Sequence, residues 1–185
     1  MNLLSIDPSI RSLGLAVFDE SGAVTKIASL KLSNGHEDDY VIRAVAMARS
    51  IVPYVMDGDW SVVTETPAHW SHARGTNSES SESVQKLYWF VGTLVGHLID
   101  LPQVKDIYTV KPAQWKGTVP KAVMTARARK MFPTLPIDSF PHDTHEALIL
   151  GSWARRKIES GNSHPLVPVK SSVLSIQAPD IKEYP

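Results

Sequence analysis

Four acidic residues in this 185-residue chain stand where an acid is costly. Asp7 ends the apolar run Leu3-Leu4-Ser5-Ile6, and Glu65 ends Trp60-Ser61-Val62-Val63-Thr64. Asp143 and Glu146 lie three apart at the start of a helical pattern, so both project from one face. A carboxylate at the end of a buried strand is disfavoured unless something compensates its charge. Taken singly, each has an ordinary explanation: a strand-end Asp caps a turn, and acids in a first helical turn complement the helix dipole. Together they suit hard divalent cations, which need clustered oxygen ligands. Two such ions about 3.5–4 Å apart activate water and stabilise the leaving oxygen of a phosphodiester. His142 and His145 stand beside the acids as ligands, water-orienting groups or plain helix residues. His142, adjoining Asp143, is the preferred auxiliary.

Phosphodiester chemistry also needs cations for the substrate's phosphates. Residues 105–130 hold Lys105, Lys111, Lys116, Lys121, Arg127, Arg129 and Lys130 against Asp106 alone. A solvated helix face and a phosphate-contacting surface both fit that pattern.

The elements that must position these residues follow from pattern. Residues 2–7, 14–18 and 24–32 read as three strands joined by short turns, an antiparallel meander. Val41, Val45, Ala48, Val52 and Val55 recur at helical spacing, with Pro53 disturbing the end. Residues 60–65 and 104–110 are two further strands, and 66–83 reads as a polar, Ser-rich loop. Val84, Leu87, Val91, Leu94, Val95 and Leu98 mark a helix, in which Gly92 and Gly96 would allow close packing against a neighbour. Helices follow near 120–131 and 142–158. The order β-β-β-α-β-α-β-α-α makes an α/β domain, a mixed five-stranded sheet flanked by helices. It spans residues 1–159, and 160–185 reads as a C-terminal extension or arm.

Composition bounds the rest. The 20.4 kDa chain suits one ordinary domain, has no cysteine, and carries no apolar run of membrane-spanning length and no signal-peptide pattern. Those features fit a cytoplasmic protein. Its 19 basic and 19 acidic residues cancel, but unevenly. Residues 1–104 hold 7 Lys and Arg against 12 Asp and Glu, and residues 105–185 hold 12 against 7. If metal neutralises the four costly acids, a neutral chain presents a basic face.

At this point the chain resembles a known family. Leu4-Ser5-Ile6-Asp7-Pro8-Ser9 with Gly14 is similar to the opening strand-turn-strand of RuvC-like Holliday junction resolvases, of the RNase H-like superfamily. Val62-Val63-Thr64-Glu65 resembles the second acidic strand. Val110-Lys111-Pro112-Ala113-Gln114-Trp115-Lys116-Gly117 with Lys121 resembles the basic segment, and Pro141-His142-Asp143-Thr144-His145-Glu146-Ala147-Leu148 the closing helix. The resemblance covers residues 2 to about 158. Glu146 stands where Asp is commoner in bacterial members, which fits a phage-encoded or remote member.

The resemblance implies an RNase H-like fold and a crossover junction endodeoxyribonuclease of DNA recombination and repair. Such an enzyme would hydrolyse four-way and other branched DNA and leave 5′-phosphate ends. Asp7, Glu65, Asp143 and Glu146 would be its catalytic metal ligands, holding two Mg²⁺, with Mn²⁺ as a substitute. Lys111, Lys116, Lys121 and Arg127 would bind DNA, and His69 or Trp70 would fall near the residue that wedges against junction bases. A homodimer would match the two-fold symmetry of the junction, in a bacterial cell or, for a phage protein, the host cytoplasm. Three other readings share features with this one: a YqgF-type nuclease on RNA or RNA–DNA hybrid, a non-catalytic DNA-binding descendant, and an actin-like fragment. The last fits least well, because actin-like folds have two such domains and 185 residues is short for both.

Overall fold

The computed structural model describes residues 1–9, 11–31, 40–67 and 78–170, without the side chains of 40 and 78–81. Among the described residues six strands form one sheet: β1 Asn2–Pro8, β2 Ser12–Phe18, β3 Val24–Lys31, β4 Trp60–Glu65, β5 Val104–Val110 and β6 Val167–Pro168. Their order is β3-β2-β1-β4-β5-β6. The first three strands pair antiparallel, as the meander requires, and β1, β4 and β5 run parallel. Parallel neighbours need crossovers, supplied here by α1 Tyr40–Ile51 and α2 Ser78–Ile99. After β5 come a short helix α3 Pro112–Trp115, then α4 Lys121–Met131 and α5 His142–Glu159.

Helices cover both faces of the sheet. Leu4, Ile6, Leu15, Val62 and Ile107 pack with Met47, Ile51, Leu94 and Leu98 of α1 and α2. Leu3, Phe18, Val63 and Val110 pack with Met124 of α4 and Leu148 and Ala154 of α5. Neighbours along one strand thus enter opposite cores, because strand side chains alternate with period two. Burial on both faces explains why β1 reads as a continuous apolar run, with every residue from Leu3 to Pro8 buried.

The expected five-stranded sheet has a sixth strand. β6 is two residues long, contains a proline, and pairs antiparallel with β5 through Thr109 and Val167. Too short for periodicity, and with the proline confined to an edge, it leaves no strand pattern to read. Around it, Leu166 is buried in the α4–α5 core, and the Lys170 ammonium donates to the carbonyls of Leu101 and Val104 at 3.1 and 2.5 Å. Residues 160–170 therefore return to the sheet, and 171–185 lie outside the described residues.

Two helices also differ from the pattern. α2 starts at Ser78, inside the stretch read as loop, because Ser-Glu-Ser-Ser-Glu has no apolar period to announce it. Residues 68–77 of that stretch, with His69 and Trp70, lie outside the described residues. α3 is a single turn with Pro112 at its first position, where a missing N–H costs nothing. Gly92 and Gly96 have no packed neighbour among the described residues; nothing lies within 4 Å of a Cβ built at either. No described helix is long and apolar enough to cross a membrane.

α5 lies unusually close to the sheet. A Cβ added at Gly14 would meet the Asp143 carbonyl oxygen at 2.0 Å, and one at Gly151 the Phe18 ring at 2.2 Å. Arg155 ties the helix to the β2–β3 turn through the carbonyls of Asp19 and Glu20, and the Thr144 hydroxyl donates to the Ala28 carbonyl at 3.3 Å. Gly14→Ala forces backbone apart, so it should cost about 3 kcal/mol or more. Urea unfolding checks this, and a variant as stable as the parent would contradict the close approach.

Candidate metal and nucleic-acid site

Register and alternation put the first two acids together. β1 and β4 pair with Ile6 beside Thr64, so the next residues, Asp7 and Glu65, end adjacent parallel strands. Both share the parity of Leu3 and Val63, which face the α4–α5 core. They therefore turn towards α5. Glu146, one helical turn into α5, completes the group. Asp7, Glu65 and Glu146 each offer a carboxylate oxygen, and these atoms lie within 4.8 Å of one another. All three residues are buried.

Asp143 stands apart from this triad. Its Oδ2 accepts a 2.5 Å hydrogen bond from Ser12 Oγ, which lies 3.2 Å from Ser9 Oγ. The β1–β2 turn thus holds the fourth acid at the edge of the group, half-buried.

Two residues after β5 reach into the site. The Lys116 ammonium donates to Glu65 Oε1 at 2.8 Å and to Glu146 Oε2 at 2.6 Å. Trp115 Nε1 donates to the same Glu65 oxygen at 2.6 Å. Lys111, Lys121 and Arg127 are exposed. Of the four basic residues assigned to DNA, Lys116 alone is drawn inward.

The histidines separate by their partners. His145 Nε2 donates to the Ile137 carbonyl at 2.8 Å, and its Nδ1 meets Thr125 Oγ1 at 3.0 Å. Both nitrogens are used in packing α5 against α4 and the turn before it. His142 Nε2 donates to the Lys121 carbonyl at 3.1 Å and lies 3.8 Å from Glu146 Oε1, while its buried Nδ1 has no partner among the described residues. His142 touches the site, and His145 does not.

Comparison with solved structures bears on this architecture. The chain is similar to Thermus thermophilus RuvC in complex with Holliday junction substrate, with a TM-score of 0.64 and 18% identity over 91% of this chain and 99% of that one. A second Thermus thermophilus RuvC structure aligns with a TM-score of 0.59 at 18% identity, over 91% of this chain and all of that one. The fold is that of RuvC. No protein-family model and no curated protein sequence matches the chain.

Asp7 and Glu65 sit at the shared end of two central strands, and both are buried there with Glu146. Burial is the largest influence on Asp7 and raises its pKa well above the usual carboxylate range. Glu65 and Glu146 push it further up, and Lys116 opposes them. Burial also raises Glu65, again against Lys116. For Lys116, burial acts to lower its pKa, but Glu65, Glu146 and Asp7 outweigh it and hold the ammonium above its ordinary value.

The donor set suits a hard cation: three carboxylates, no sulfur, all oxygen. Trp115 and Ser12 were given no role by the sequence. Trp115 was visible only as an aromatic inside the basic segment, and Ser12 only as a polar residue in a turn.

Crowded acids oppose folding. Asp7 keeps its proton to higher pH when folded than when unfolded, so the folded chain binds more protons and loses stability as pH rises. Asp7→Asn in chelator should therefore melt higher than the parent at pH 8, by about 2–4 °C for each kcal/mol relieved. The gain should vanish as pH falls towards about 4, the unfolded carboxylate value. Melting curves across that range check it, and a pH-independent difference would contradict it.

Proposed function

We propose that this chain is a metal-dependent endonuclease that resolves four-way and other branched DNA junctions. The observation that carries the reading is the meeting of Asp7, Glu65 and Glu146 at one end of the sheet, with Asp143 beside them. Buried acids this close gain by binding a cation and have little structural use without one. The RuvC fold supports the substrate, because the Thermus thermophilus protein on that fold is in complex with a Holliday junction.

Asp7, Glu65 and Glu146 would hold one Mg²⁺ or Mn²⁺, and Asp143 would help to hold a second. The bound ions supply positive charge that acidifies the attacking water and stabilises the leaving oxygen. Ser12 fixes the Asp143 carboxylate and Trp115 fixes Glu65, so neither acid has to be ordered when DNA arrives. The exposed cations Lys111, Lys121 and Arg127 would take the phosphates flanking the cut. A two-fold dimer would place two such sites on the two symmetric strands of a junction.

Labelled four-way junctions, Y-forks, linear duplex and RNA–DNA hybrid, each with Mg²⁺ or chelator, test the reading. Asp7→Asn and Glu146→Gln should each lower junction cleavage about a thousandfold, equivalent to about 4 kcal/mol of transition-state stabilisation. Cleavage at the parent rate by either variant would remove the assignment, and preference for the hybrid would move the enzyme to the RNA-directed class. Lys121→Ala should weaken junction binding and reduce its salt slope by about 0.9, the share of one phosphate. An unchanged slope would exclude that contact.

A further inference from the structure

Lys116 follows the single turn of α3, ahead of Gly117, whose φ of +61° turns the chain away. Its ammonium has three partners from three elements: Glu65 of β4, Glu146 of α5 and the Trp115 ring, whose centroid lies 5.2 Å away. The side chain is only 14% exposed. Trp115 packs in turn on Trp153 of α5, with centroids 6.3 Å apart.

The oxygens that hold Lys116 belong to the same carboxylates that would hold a metal. Glu65 Oε1 and Glu146 Oε2 lie 2.8 and 2.6 Å from Nζ. A Mg²⁺ bound to those atoms would sit about 2.0–2.1 Å from each. Ion and ammonium would then compete for one small space, and like charges that close repel strongly in a buried setting.

We propose that Lys116 is the built-in counter-ion of this site: it holds Glu65 and Glu146 together before metal binds, and it must leave when a divalent cation enters. Its side chain already keeps 14% exposure, and a flexible four-carbon stem lets the ammonium swing outward. Once displaced, it carries its charge to the rim of the site, where a phosphate of DNA can receive it. A basic residue assigned to DNA and one bound to acids are then two positions of one side chain. The inference rests on the proposal that the acids bind metal and adds that entry of the ion is coupled to exit of a lysine.

Lys116→Met removes the charge and keeps most of the stem. Calorimetric titration with Mn²⁺ should give affinity about tenfold tighter than the parent, while the melting temperature in chelator falls below the parent's. Equal or weaker Mn²⁺ affinity in the variant, with the parent binding normally, would overturn the counter-ion role and leave the metal site standing. Binding by neither protein would overturn both. Amine labelling of the parent, read by mass spectrometry, tests the displacement without substitution. Lys116 should label slowly in chelator and several-fold faster in saturating Mg²⁺, with the exposed Lys130 unchanged as reference. Equal labelling of Lys116 in both conditions would also overturn the proposal.

Discussion

Mutual repulsion among three buried carboxylates is the constraint around which the molecule is arranged. Removed from water, each acid is costly, and each raises the cost of the next. Asp7 takes the largest share, because burial on the central strand weighs most on it and Glu65 and Glu146 add their repulsion. Such an arrangement persists only if the scaffold is stable enough to impose it. The two-sided core does that, with the apolar residues of β1 packed against helices on both faces. The strain of the site is thus offset by the burial that creates it.

Close approach of α5 to the sheet is the second requirement. With side chains at Gly14 and Gly151, Glu146 could not come within reach of strand ends β1 and β4. Thr144 and His145 then pin the first turn of the helix, and Arg155 pins it near the other end. Each of these polar side chains is buried and bonded, as burial demands. Their common effect is to fix the distance between a helix acid and two strand acids, which is the quantity a metal site depends on.

Legibility in the sequence followed local periodicity. The meander of β1 to β3 and the helices near 41–51 and 142–158 are long enough for their apolar spacing to declare them, although α1 buries Ala44, Met47, Ala48 and Ile51 and leaves Val41 of the expected stripe exposed. The sixth strand, the turn of α3 and the Ser-rich start of α2 are not, because each is short or lacks apolar residues. The acids were legible because a carboxylate after an apolar run is conspicuous. Lys116 shows the opposite case: as one of seven basic residues between 105 and 130, it has no local mark that separates it from Lys111 or Lys121. Its different placement comes from the turn after β5, which directs it into the site.

By itself the amino-acid sequence determined the order of the longer elements, the residues that could bind a hard cation and the basic segment that could meet phosphate. Those properties are carried by residue type and by repeats of two or about 3.6 residues, which act over a few neighbours along the chain. Tertiary structure decided which acids meet, since Asp7 and Glu65 are 58 positions apart and only parallel register makes them neighbours. It also decided that Ser12 would hold Asp143 and that Lys116 would turn inward. A close charge interaction depends on distances of a few ångströms in space, and those are set by packing between elements, not by spacing within them.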